Sequence, residues 1–153
     1  MAAIRRADAT WSGDLLSGSG HVSAVTSGAF SDLAVSWASR TESSDGRTSP
    51  EELLAAAHAA CFCMALSGGL ARAGSPPERL EVSAEVTFDK TDSGWGVASS
   101  VLTVRGRVPG MSAEDFRAAA ETAKDGCPIS GALKGNVELS VVASVETEAT
   151  ARG

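Results

Sequence analysis

A chain of 153 residues is long enough to bury a core without disulfides or metals, and its composition, 43% hydrophobic and 21% charged, is that of a folded, water-soluble protein. A formal net charge of −6, with no run of like charge beyond two residues, leaves no basic footprint for nucleic acid or an anionic membrane surface. Arg5 and Arg6 are followed by no apolar stretch of signal-peptide length, and nowhere do eighteen apolar residues run together, so a cytoplasmic protein is expected. Three cysteines cannot all pair within one chain and a cytosol opposes structural disulfides, so Cys61, Cys63 and Cys127 are read as core residues, ligands or reactive thiols.

With no internal repeat or long linker, residues 1–146 read as one domain and the polar stretch 147–153 as a frayed tail. Short β-type runs around Ala9 to Trp11, His21 to Val25 and Leu33 to Trp37, broken by Gly13, Gly18, Gly20 and Gly28, predict a three-stranded meander. A polar loop from Thr41 to Thr48 leads to the best-specified element. There Ser49 is placed to cap a helix, Pro50 to begin it and Glu52 to close a capping box. The helix is apolar around its circumference, with Leu53, Leu54, Ala57, Cys61, Met64 and Ala65 on one side, which predicts a central, largely buried helix. Gly68 and Gly69 weaken its end, and Gly74 before Pro76 and Pro77 stops it.

Leu80, Val82, Ala84, Val86 and Phe88 alternate with polar residues as a half-buried strand, and Trp95 to Val108 continues it after a turn at Asp92 to Gly94. Ser112 caps a second helix that Gly126 ends, Pro128 starts a third through Leu133, and Val137 to Val145 alternates as a closing strand. The sum is an α+β fold, with antiparallel sheet packed on helices.

Taken alone, Cys61 is a small hydrophobe in mid-helix. Cys63, two positions on, points about 200° around the helix and shares no site with it. Cys127 immediately precedes Pro128 and so occupies a helix cap, where amides stabilise a thiolate; local physics makes it the more acidic thiol. Whether Cys61 and Cys127 approach within disulfide reach is open at this point. His58 and Cys61 share a helical face, but no paired metal-ligand spacing accompanies them, and His58 reads as a hydrogen-bonded helix histidine. No GxGxxG, Walker loop, GxSxG elbow or CxxC is present. A reactive thiol needs a cation to lower its pKa, and Arg40, closing the strand at Trp37, is the candidate, with Glu51 in the first helical turn as its bidentate anchor. Read singly, Arg40 is a solvated strand-end charge and Glu51 complements a helix N-terminus.

The segment TSPEELLAAAHAACFCMALS, from Thr48 to Ser67, resembles the signature helix of the OsmC/Ohr family, and GCPISGAL, from Gly126 to Leu133, its second cysteine motif. SWASR ending at Arg40, ATWSGDLLSGSG near the start and the closing strand extend the resemblance over nearly the whole chain, and AAAHAAC with Arg40 is more similar to the OsmC branch. The resemblance implies antiparallel sheets around a long central helix and an intertwined homodimer with two interfacial sites. It also implies reduction of organic hydroperoxides by a cysteine pair, with no cofactor. Carried over by position, Cys61 is the attacking thiol, Cys127 the resolving thiol, Arg40 the thiolate stabiliser and Glu51 the residue that orients it. Cys63 departs from the pattern.

The implied chemistry is attack of the Cys61 thiolate on the outer peroxide oxygen, then condensation of Cys127 with the resulting sulfenic acid. An external dithiol, for which relatives suggest a lipoylated protein, reopens the disulfide. Glu51 and Cys61 stand ten residues apart on one helix, about 15 Å of rise, so they do not touch within it; either Arg40 spans the gap or the pair of Arg40 and Glu51 serves the partner's Cys61, and the second is the reading adopted. Two other readings use the same residues: a redox sensor whose disulfide alters a partner contact, and a non-enzymatic protein of this fold that binds a small apolar ligand.

Overall fold

Strands separated by Gly and Ser turns open the chain, as a computed structural model describing residues 1–146 shows; the predicted frayed tail, 147–153, lies outside the described residues. Two compact units divide the chain, Met1–Leu53 and Leu54–Gly153.

In the first unit β1 (Ala7–Ser12), β2 (Ser19–Ala24) and β3 (Leu33–Val35) form the expected antiparallel meander, in that order. The third strand stops sooner than its β-type run predicts. Trp37 opens a short helix, α1 (Trp37–Thr41), because Ser36 and Ser39 close a capping box. The Ser39 amide donates to Ser36 Oγ at 3.1 Å and the Ser36 amide to Ser39 Oγ at 3.0 Å. Arg40 therefore projects from the last turn of a helix rather than from a strand end.

The long helix α2 (Pro50–Arg72) begins in the first unit and continues through the second. Ser49 Oγ accepts from the Glu52 amide at 3.1 Å, as a cap should, while the Glu52 carboxylate accepts from the Thr48 hydroxyl at 2.7 Å. By length and composition alone α2 is apolar enough to cross a membrane, yet its inward stripe of His58, Phe62, Leu66 and Leu70 is fully buried. The expectation of a largely buried helix is corrected: only 22% of its most apolar window is buried, and Met64, placed on the core side by the sequence reading, is 75% exposed. Alanine, cysteine and methionine all around the axis give the pattern no direction, and the polar Glu51 and His58 mark the buried side instead of the wet one.

In the second unit β4 (Arg79–Thr91) and β5 (Gly94–Arg107) pair antiparallel around a two-residue turn at Asp92 and Ser93, which Gly94 leaves at φ +107°. Next come α3 (Ala113–Gly126), capped by Ser112 through the Asp115 amide, and α4 (Pro128–Leu133). The closing strand β6 (Glu138–Val145) then pairs parallel with β5, giving the order β4-β5-β6. The second sheet is thus mixed, not antiparallel as expected. A crossover through two helices returns the chain to the same end of the sheet, which alternation of residue types along β6 does not reveal.

Leu102 and Val104 of β5, Phe116 and Ala120 of α3 and the α2 stripe fill the core. Gly106 is needed where Phe116 crosses β5, since a Cβ there would meet the ring Cζ and lie 2.6 Å from Cε1. Burying a side chain such as Phe62 or Phe116 contributes about 1.5–3 kcal/mol.

Candidate active site

Cys127 sits at the joint of two helices, as the residue after α3 and the N-cap of α4. Pro128 at the first helical position fixes the break, and the extended backbone at Cys127 (φ −68°, ψ 124°) places its thiol at the amide end of α4, where the Ser130 and Ile129 amides lower its pKa. Cys61 projects from mid-α2, and the two thiols lie close enough for each to shift the other's ionisation. Both are free and unpaired by disulfide.

Their surroundings act in opposite directions. Burial pushes the Cys61 thiol up, and the hydrogen bond and charge of Cys127 add to that against the Ile129 amide, which lowers it. Burial is also the largest single influence on Cys127, but the Ser130 amide, the Cys61 thiol, the Ser130 hydroxyl and the Ile129 amide together outweigh it and hold Cys127 below the usual thiol range. The cap position singled out in the sequence is the more acidic thiol in the folded chain. Cys63 is raised by burial and lines a different depression, with Ser67, Pro77 and Leu80.

Cys61 forms part of the wall of a cavity of about 660 Å³. Met64, Ala65, Leu66, Leu70, Ala119, Ala123 and Pro128 make it mainly apolar, while Thr122 and Arg72 add polar groups. A second cavity of about 560 Å³, bounded by Glu78, Arg107, Pro109 and Met111 among others, has no cysteine or histidine in its lining.

In the first unit Arg40 and Glu51 are brought together. Arg40 Nη2 donates to Glu51 Oε1 at 2.7 Å, and Nε reaches Oε1 at 3.0 Å and Oε2 at 3.1 Å, a side-on bidentate pair. Glu51 is 7% exposed, and the guanidinium carbon lies 5.8 Å from the Trp37 ring centroid. The four residues singled out in the sequence are thus assembled as two pairs, one in each unit.

His58 is fully buried and held from both sides: Nδ1 lies 2.7 Å from Ser100 Oγ and Nε2 2.8 Å from Ser130 Oγ. Burial lowers its pKa, so the ring is neutral at physiological pH. Among the described residues no three metal-ligating side chains cluster. The two serines escaped the sequence reading, although Ser100 stands in phase with the buried Leu102 and Val104 of β5, a signal that would have found it.

The family model described as OsmC-like protein matches residues 43–142. Over 139 residues the chain is 40% identical to the peroxiredoxin OsmC of Escherichia coli (strain K12), covering 91% of this chain and 96% of that protein. It is 34% identical over 112 residues to the organic hydroperoxide resistance protein OhrA of Bacillus subtilis (strain 168), covering 72% of this chain and 77% of that one. The crystal structure of an organic hydroperoxide resistance protein from Elizabethkingia anophelis superposes with a TM-score of 0.74 at 27% identity, covering 95% of this chain and 100% of the other. The chain belongs to the OsmC-like family.

Proposed function

We propose that the chain is a cysteine-based peroxidase that reduces organic hydroperoxides to alcohols, with Cys61 as the attacking thiolate and Cys127 as the resolving thiol. One observation carries the reading: two unpaired cysteines, far apart in sequence, meet beside an apolar cavity. Relatives named peroxiredoxin and organic hydroperoxide resistance protein support it.

In the first step the Cys61 sulfur bonds to the outer peroxide oxygen, the O–O bond breaks, and the departing alkoxide takes a proton to leave as the alcohol. Cys61 is left as a sulfenic acid. Cys127 then attacks that sulfur, the S–O bond breaks, and the released hydroxide combines with the Cys127 proton as water. An external dithiol, of the kind carried by lipoylated proteins, is oxidised in turn and returns both cysteines to thiols.

Burial of Cys61 opposes the thiolate this mechanism needs, so a cation must offset it. Arg40, oriented by Glu51, supplies that cation to the Cys61 of a partner subunit and also stabilises charge on the departing oxygen. A homodimer is supported by the exposed apolar side of α2, where Ala56, Ala57, Ala60 and Met64 await cover. Three unpaired cysteines suit a reducing compartment such as the cytoplasm.

The test is chemical trapping. Reduced Cys127→Ser protein treated with cumene hydroperoxide and a sulfenic-acid probe is expected to carry the adduct on Cys61 by mass spectrometry. An unmodified Cys61 after peroxide consumption would sink the reading.

A further inference from the structure

The mechanism above leaves unused a buried hydrogen-bonded row, Ser100, His58 and Ser130, that runs from β5 through α2 to α4 and ends one helical turn from the capping Cys127. We infer that His58 is a positioning residue for Cys127: it holds the Ser130 hydroxyl in the orientation that donates to the Cys127 sulfur, and so prepares that sulfur to close the disulfide. The inference rests on Cys127 being the resolving thiol.

Donor accounting carries the argument. Each ring nitrogen of His58 faces only a serine hydroxyl, at 2.7 and 2.8 Å, and a hydroxyl has one hydrogen to give. When Nε2 bears the ring proton it donates to Ser130 Oγ, Nδ1 accepts from Ser100, and the Ser130 hydrogen is left for the Cys127 sulfur. With the proton on Nδ1, Nε2 takes the Ser130 hydrogen and only the oxygen of Ser130 remains for Cys127, which then keeps its own proton. The ring therefore follows the charge on Cys127 without becoming a cation, consistent with its complete burial. Other groups around Cys127 act independently of His58: Cys61 faces it from α2, the Ile129 and Ser130 amides face it from α4, and Lys124 on α3 is paired with Glu121 and Asp125.

Two isosteric variants separate positioning from packing. His58→Gln places an amide at the Nε2 position and keeps a partner for Ser130, whereas His58→Asn keeps one for Ser100 and loses Ser130. In a Cys61→Ser, Cys63→Ser background the thiolate ultraviolet absorbance reports Cys127 alone. His58→Asn is expected to raise its pH midpoint by about one unit, tenfold less thiolate below the midpoint, as the loss of one hydrogen bond to a charged group implies. His58→Gln should stay within a factor of about two. With all cysteines present, His58→Asn should slow disulfide closure about tenfold after one equivalent of cumene hydroperoxide, with sulfenate formation at Cys61 unchanged. Ser130→Ala should do the same, and adding His58→Asn to it should add nothing. Equal effects of the two His58 variants, equal slowing of both steps, or a His58→Asn effect that persists without the Ser130 hydroxyl would overturn the inference. Absence of any sulfenate would instead bring down the peroxidase reading, and the absorbance midpoint would still decide the role of His58.

Discussion

Cys61 and Cys127 stand close enough to shift each other's ionisation, yet the thiol assigned the attack is the one whose burial resists ionisation, while its neighbour is held below the usual thiol range. Burial opposes Cys127 as well, but the amides and hydroxyl at the head of α4 outweigh it. On the proposed mechanism Arg40 of the partner subunit supplies the cation that offsets the burial of Cys61. Arg40→Ala is accordingly expected to slow Cys61 oxidation about 100-fold, the effect of removing a neighbouring positive charge worth one to three pKa units. Mixing Arg40→Ala with Cys61→Ser subunits should restore activity in the heterodimer, because one of its two sites is then complete; no restoration would exclude a shared site.

Glu51 is 7% exposed and carries three short contacts to Arg40. Glu51→Gln removes the charge and half the fork, and is expected to cost about 2 kcal/mol of stability. Urea denaturation measures that loss, and oxidation kinetics of the same variant should show slower attack, since the guanidinium is no longer aimed.

Cys63 lines a depression apart from the reactive pair. Cys63→Ser should therefore turn over at the native rate, whereas Cys127→Ser should perform the first step and stop at the sulfenic acid. Mass spectrometry after oxidation should find Cys61 linked to Cys127 and Cys63 unlinked.

What was legible in the sequence was set by local chemistry. Ser49 and Pro50 announce α2, Ser112 announces α3, and alternation draws β4 and β5. The pairing of Arg40 with Glu51 was anticipated because the two are close in sequence and chemically complementary. Long-range choices were not legible. The parallel pairing of β6 depends on a crossover, and the buried side of α2 depends on Ser100 and Ser130, 42 and 72 residues from His58, that make a histidine tolerable inside. The apolar bulk of Trp37 suits a strand, but Ser36 before it and Ser39 two positions after it close the capping box that starts a helix there.

The approach of Phe116 to β5 gives a test of the core. Gly106→Ala drives a methyl group into the buried ring and is expected to cost about 1–3 kcal/mol. Phe116→Leu on its own should destabilise by opening space, and the double variant should be less destabilised than the two losses added together, as chemical denaturation of the four proteins would show.

Acid stability follows from His58. The unfolded imidazole protonates around 6.5, and burial holds the folded one lower, so below 6.5 the unfolded chain binds a proton that the folded chain refuses. Stability from this group is complete above 6.5 and falls as the pH drops from there toward the folded value, by up to about 1.4 kcal/mol per pH unit. Urea midpoints across that range should fall with acid in the native protein and fall less steeply in His58→Gln.

The assignment of Cys61 as an attacking thiolate beside an apolar cavity is tested most directly by stopped-flow oxidation of the reduced protein with cumene hydroperoxide and with hydrogen peroxide. Burial of the aryl group in the cavity predicts that the organic substrate oxidises Cys61 at least about tenfold faster. Equal or faster reaction with hydrogen peroxide, or oxidation that leaves Cys61 untouched, would contradict it.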